Sequence, residues 1–464
     1  MIWRIARREF LDWSRDRWRL LAAVGVALVA VAAGLTGAAA AGARASTAMA
    51  AQQGDYQRWL SQPPRNAHSA THFGLSAFYV PSRLAVFDPG VSAYAGSALF
   101  LEAHKQNEPV FTEAVDRGAA PRFGELSLST VIQIWLPLII ILLGAGGIAA
   151  EREEGILPQL LATGVPSWQL ATGKALAMAA AATAVILPST IVVIVAAGLD
   201  AGVWPADALW RIGAILLSLL AYLVFWVALT IAVSARARSW RVAIAGLAIV
   251  WCIGVVIAPR LAGDVARARH PLPSRAELDR LELESRIMGP GGVEARRQAI
   301  LVEHGVASVE QLPVDISVLI ARRAEASINA RLDTRIALYD RAYADERRDY
   351  LRTAVLTPAV AMDIIAAGAS GSDDVHHRAF LRRAEDYRRL MMDTLTDADE
   401  RKPGERARRA DVSVWKRMPM FEPAVPAMGQ TSSRVGLALA ALGAWSLLAL
   451  ALAAWMVRRV GARA

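Results

Sequence analysis

The chain has 464 residues, 55% hydrophobic and only 20% charged, with a mean hydropathy of +0.33. That balance excludes a disordered chain or an ordinary soluble enzyme and indicates a polytopic membrane protein. The net charge of +9 sits largely in Arg clusters beside apolar runs, a topology signal and not a nucleic-acid footprint. The single cysteine, Cys252, excludes a disulfide framework and a cysteine-based metal centre.

Residues 1–19 interleave Arg4, Arg7, Arg8, Arg15, Arg17 and Arg19 with Trp3, Phe10, Trp13 and Trp18. An interfacial amphipathic helix is expected there, rings at headgroup depth and cations toward anionic lipid. The apolar run 20–43 exceeds the roughly 7–15 residues of a secretory signal core, so it is expected to stay as a first span. Residues 44–125 are polar and punctuated by Pro63, Pro64, Pro81, Pro89 and Pro109, which predicts a small folded segment outside the membrane. His68 and His72 stand four apart, as ligands on a helix do, but no Cys or Glu completes a set and no metal site is expected.

A second span is expected over 126–150, containing Pro137, and a third over 170–199, containing Pro188. A tight Asp200–Ala206 connection leads to a fourth span at 207–234. The cationic SARARSWR loop, Ser234–Arg241, leads to a fifth at 241–259. Residues 260–433 then turn rich in Arg, Glu and Asp with helical periodicity, broken at Pro271, Pro273, Gly289, Pro290 and Gly291 among others. A mainly helical domain between the last two spans follows. A sixth span at 435–457 ends in Arg458, Arg459 and Arg463. The expected fold class is all-α, with six transmembrane helices and both termini on one side. Arg clusters at both termini and in the SARARSWR loop make that side cytoplasmic, and the domain at 260–433 extracytoplasmic, since long loops translocate largely regardless of charge.

The chain is organised around Gly144–Lys174. Glu151, Arg152, Glu153 and Glu154 follow directly on an apolar run, then Gly155, then Ile156, Leu157, Leu160 and Leu161, spaced to make one greasy stripe on a short helix. Such a helix lies on the membrane surface at 151–169 and offers carboxylates to a docking partner. An acidic loop where Arg is the rule favours coupling over a merely solvated loop. Catalytic motifs fall away one by one. A phosphate loop ending at Gly173-Lys174 needs Gly where Trp168 stands, and Ala175 follows. Gly368-Ala369-Ser370-Gly371, near His376 and His377, has the form of a protease G-x-S-G, yet it lies in the polar domain where a capping loop explains it. No H-E-x-x-H is present. The spans hold almost no ionisable groups between their flanks, so no ion coupling is expected. Lys174, near a cytoplasmic end, is expected to snorkel to the surface.

The stretches RREFLDWSRDRWRLL, EREEGILPQLLATGVPSW and ATGK resemble permease subunits of type-2 ABC exporters. Those families show an Arg-Glu pair before the first span, here at Arg7, Arg8, Glu9 and Phe10. They also show a cytoplasmic E-[KR]-E-x-G-[TI]-L-x-x-L-L stretch leading to a Gly-Lys. Glu151, Arg152, Glu153, Gly155, Leu157, Leu160, Leu161 and Lys174 match it, while Pro158 and the phase of Val165-Pro166-Ser167-Trp168 depart from it. The insert, with LTPAVAMDIIAAGASGSDDVHHRAFLRRAEDYRR, is similar to that of permeases associated with nitrous-oxide-reductase maturation and gliding motility. The resemblance implies a non-catalytic transmembrane subunit of a bacterial inner-membrane exporter, paired with a second permease half, homologous or identical. A cytosolic ATPase dimer would bind ATP and Mg, and this chain no cofactor of its own. The alternative is a membrane-anchored envelope protein that binds a partner through 260–433 without transport.

Overall fold

The computed structural model describes residues 1–92, 94–111, 126–198, 206–274, 276–277, 280, 293–406, 409–423 and 425–461. The expected turn at 200–205, the Gly289-Pro290-Gly291 break and Arg463 lie outside the described residues. Among the described residues, six helical stretches are long and apolar enough to cross a membrane: Arg17–Leu60, Leu128–Glu153, Ser167–Gly198, Ala206–Arg236, Trp240–Arg269 and Ser432–Val460, hereafter spans 1 to 6. Their outward faces carry exposed apolar side chains, such as Leu447 and Leu448 on span 6 and Ile249 on span 5, which a lipid environment alone solvates favourably.

Helix α1 (Ile2–Arg15) precedes span 1 and ends at Asp16, whose carboxylate accepts from the amides of Trp18 and Arg19 and so caps α2 (Arg17–Leu60). At 44 residues, α2 is about 66 Å long, twice the roughly 30 Å of a hydrocarbon core. The apolar run thus continues as a helical stalk, because Ala- and Gln-rich sequence supports helix until Pro63 and Pro64 end it. Span 2 is two helices, α4 (Leu128–Gly144) and α5 (Gly146–Glu153). Then come α6 (Ile156–Ala162), α7 (Ser167–Gly198) and α8 (Ala206–Arg236). Span 6, within α16 (Met428–Gly461), packs along span 4, and span 1 along span 3.

Span 5 runs past Pro259 without a break. Helix α9 (Trp240–Trp251) passes through a π-helical stretch, Cys252–Ile257, into α10 (Ala258–Arg269). Proline lacks the amide that a π register would aim at the Gly254 carbonyl, and the Thr357 hydroxyl donates to that carbonyl instead, at 2.7 Å.

The segments between spans 1 and 2 and between spans 5 and 6 fold together into one head. It holds α3 (Ala67–Phe73), α11 (Val293–Glu303), α12 (Ile316–Thr353), α14 (Asp374–Ala398) and α15 (Val412–Trp415). A small antiparallel sheet joins β2 (Leu75–Phe78), β3 (Ala98–Glu102) and β4 (Lys105–Gln106), while β1 (Arg65–Asn66) pairs with β5 (Arg409–Ala410) across the two segments. The stalk enters this head. Gln52 donates to the Ser76 carbonyl and accepts from the Phe78 amide, and Trp59, fully buried, donates to the Trp415 carbonyl at 3.0 Å.

Helix α13 (Pro358–Ser370) departs from the polar character of the rest of the insert. Apolar on nearly every side, it is buried in the same core as the spans, against spans 4 and 6. Arg211 of span 4, only 3% exposed, closes its C-terminus, with Nη1 at 3.4 Å from both the Gly368 and Ala369 carbonyls, Nε on Asp207 at 2.6 Å and Nη2 on the Pro426 carbonyl at 2.6 Å. The same arginine faces Nε2 of His376, whose Nδ1 pairs with Asp373 at 2.6 Å, and the buried Ser370 hydroxyl has no hydrogen-bond partner among the described residues. Both ring nitrogens of His376 are thus engaged, by Arg211 and Asp373, at a capped helix end.

Candidate functional site: the junction of α1, α5, α6 and span 3

The other end of the bundle carries the stretch from Glu151 to Lys174. Gly173 lets α1 lie against span 3: a Cβ there would stand 2.7 Å from the Ile5 side chain and 3.0 Å from the Ile2 carbonyl. With α1 that close, the next residue, Lys174, turns inward. Its side chain is 3% exposed, and the ammonium pairs with Glu9 of α1 and, at 2.8 Å, with Glu151 of α5. The expected snorkelling does not occur, because two carboxylates arriving from different helices offer the ammonium partners inside. Three helices, α1, α5 and α7, meet at this one group. Lys174 and Arg211 show that the spans do hold charged side chains, each held inside by specific partners.

The remaining charges of the loop have separate duties. Arg152 donates to the carbonyls of Ala235 and Ala237, both at 2.6 Å, covering the C-terminus of span 4. Glu153 accepts from the Trp240 amide at 3.2 Å and approaches Arg241 at 3.4 Å, at the N-terminus of span 5. Ser234 was not singled out by any motif, yet its hydroxyl bridges the break in span 2, accepting from the amides of Ile148 and Ala149 and donating to the Ala145 carbonyl at 2.8 Å.

Glu154 is exposed, and Gly155 follows with φ +71°, a left-handed turn that starts α6. Along α6 the stripe divides: Leu157 is buried in the core of the spans, Leu160 and Leu161 are half-buried, and Ile156 is 39% exposed. Trp168, at the start of span 3, is 55% exposed. On α1, Arg7 and Arg8 are exposed, Arg8 lying 3.7 Å from Asp12, and Phe10 is exposed as well. Between α1 and α6 lies an open cleft of about 580 Å³ lined by Arg4, Arg8 and Arg19 on one side and Glu151, Glu154 and Lys174 on the other.

Gly173→Ala should shift α1 off span 3, since a Cβ at 2.7 Å from a branched side chain has to displace it. A cost of about 1–3 kcal/mol is typical of overpacking. Faster tryptic cleavage within Arg4–Arg19 in the variant is the expected result, and wild-type cleavage rates would contradict it.

Six spans, a short helix between the second and third, and a folded head between the fifth and sixth define a multi-pass membrane protein of the transporter-subunit class. The family model for ABC-2 family transporter proteins matches residues 3–278, more than half of the chain, and the chain belongs to that family. It is thus a transmembrane subunit of a transporter. A second family model, a domain of unknown function (DUF3526), matches residues 293–424, most of the insert. No curated protein matches the chain.

Proposed function

We propose that the chain is the permease half of an ATP-driven exporter of the type-2 class, assembled with a second permease half and a cytosolic ATPase dimer that binds ATP and Mg. The end bearing α1, α6 and the C-terminus faces the cytoplasm, and the head faces outward from the inner membrane. One observation carries this reading. The exposed edge formed by Glu154, Ile156 and Trp168 is joined through the Glu9–Lys174–Glu151 cluster to both α1 and span 3. A partner pressing on α6 therefore moves those elements as a unit, as alternating access requires.

Two measurements test it. Purification in mild detergent should bring a cytosolic ATPase with the chain, and its consistent absence from a complex active in transport would refute the partnership. For orientation, Cys252 is first replaced by Ser. A cysteine at Ala330, exposed on α12, should then react with an impermeant reagent in intact cells, and one at Glu154 only after permeabilisation. The reverse pattern would overturn the orientation.

A further inference from the structure

His68 and His72 lie one turn apart on α3, and the two-residue turn joining β3 to β4 brings His104 beside them. The three rings stand 5.3 to 5.4 Å apart, centre to centre, and one nitrogen of each lies within 4.8 Å of the others. All three are exposed, so the group is open to an ion from solvent. His104 has φ +68°, a left-handed conformation that hairpin turns usually give to Gly or Asn. Its Nδ1 is 3.2 Å from Oε2 of Glu325 on α12, and the other oxygen of that carboxylate is held at 2.9 Å by the buried Arg388 guanidinium. A carboxylate that accepts from one ring nitrogen fixes the tautomer and leaves the Nε2 lone pair available, the usual arrangement around histidine ligands.

We propose that His68, His72 and His104 bind one divalent transition-metal ion of the zinc type, with a fourth position left to water. Three neutral imidazoles suit zinc and its neighbours, whereas Mg²⁺ and Ca²⁺ require oxygen ligands. Tetrahedral nitrogens at zinc distances stand ~3.3 Å apart, which exposed side chains reach by small χ rotations. The ion clips α3 to the β3–β4 turn, and through Glu325 ties both to α12. Binding thus fastens the segment between spans 1 and 2 to the insert between spans 5 and 6. This assignment stands independently of the transport reading.

The test uses the full-length chain in detergent, freed of any affinity tag and stripped with a chelator, in a Zn²⁺ titration against a chromophoric competitor. One zinc per chain is expected, undisturbed by a large excess of Mg²⁺. His72→Ala and His104→Ala should each weaken binding at least ~10-fold, and Glu325→Gln by about 10-fold, the usual effect of losing an outer partner. The metal-free His72→Ala variant, at an exposed position, should melt as the wild type does, and zinc should raise the melting temperature of the wild type but not of His68→Ala/His72→Ala/His104→Ala. Wild-type affinity in that triple variant would place the zinc elsewhere and overturn the assignment, as would the lack of stoichiometric binding by the wild type.

Discussion

Lys174→Met is expected to destabilise the protein by about 3–5 kcal/mol, the usual cost of removing one partner from a buried ionic group. The reason is the geometry around a single ammonium. Glu9 and Glu151 are each about one-fifth exposed, and both depend on Lys174, itself 3% exposed, for compensation. One oxygen of Glu151 already lacks a hydrogen-bond partner among the described residues, so little slack remains at this carboxylate. Without the ammonium, α1 loses its ionic tie to span 3 and two carboxylates repel each other. Thermal melts in detergent, read with proteolysis of α1, measure the effect. A second variant guards the interpretation: Glu9→Gln/Lys174→Met/Glu151→Gln removes the orphaned charges and should recover most of the loss. Equal melts for Lys174→Met and the wild type would show that the cluster contributes nothing to the fold. Failure of the triple variant to recover would trace the loss to packing of the lysine stem.

Much of this architecture is legible in the sequence, because long apolar runs bounded by Arg admit few readings. The six runs each lie on a spanning helix, and the Arg-Glu, Glu-Arg-Glu-Glu-Gly and Gly-Lys stretches that mark the family are the ones that meet at Lys174. What escapes a linear reading is mostly a partner from far along the chain. Lys174 looks like a residue that snorkels until Glu9, 165 positions away, is placed beside it. His104 carries no local signal at all, since its neighbours His68 and His72 reach it only through the β2–β3–β4 sheet. Helix α13 is apolar enough to be noticed, but flanking polar sequence assigns it to the head, and only packing against spans 4 and 6 shows where it belongs. The stalk is missed for the opposite reason. Its Ala- and Gln-rich sequence is neutral about burial, and helix propensity alone keeps α2 running past the apolar run to Leu60.

Glu154→Arg combined with Trp168→Ala is expected to abolish most of the stimulation of ATP turnover by substrate in the assembled complex while leaving the permease folded. The three acidic residues of the loop are not equivalent. Glu151 is committed to Lys174, and Glu153 to the Trp240 amide and Arg241 at the start of span 5, so reversing either disturbs the permease itself. Glu154 has solvent around it, and Trp168 is 55% exposed at the adjoining helix start, which leaves these two free to meet a partner. An exposed carboxylate contributes well under ~1 kcal/mol by itself. Once a docked subunit covers and desolvates it against a cation, reversing its charge costs on the order of 2–5 kcal/mol, more than a tenfold loss of coupled complex. The signature is therefore a split: unchanged melting of the isolated permease, unchanged basal hydrolysis by the ATPase, and loss of the coupled rate. Glu151→Arg should instead lower the melting temperature together with the rate. Full stimulation in Glu154→Arg/Trp168→Ala would move the docking contact off this edge of α6, and loss of fold in that variant would show that the edge supports the permease and not a partner.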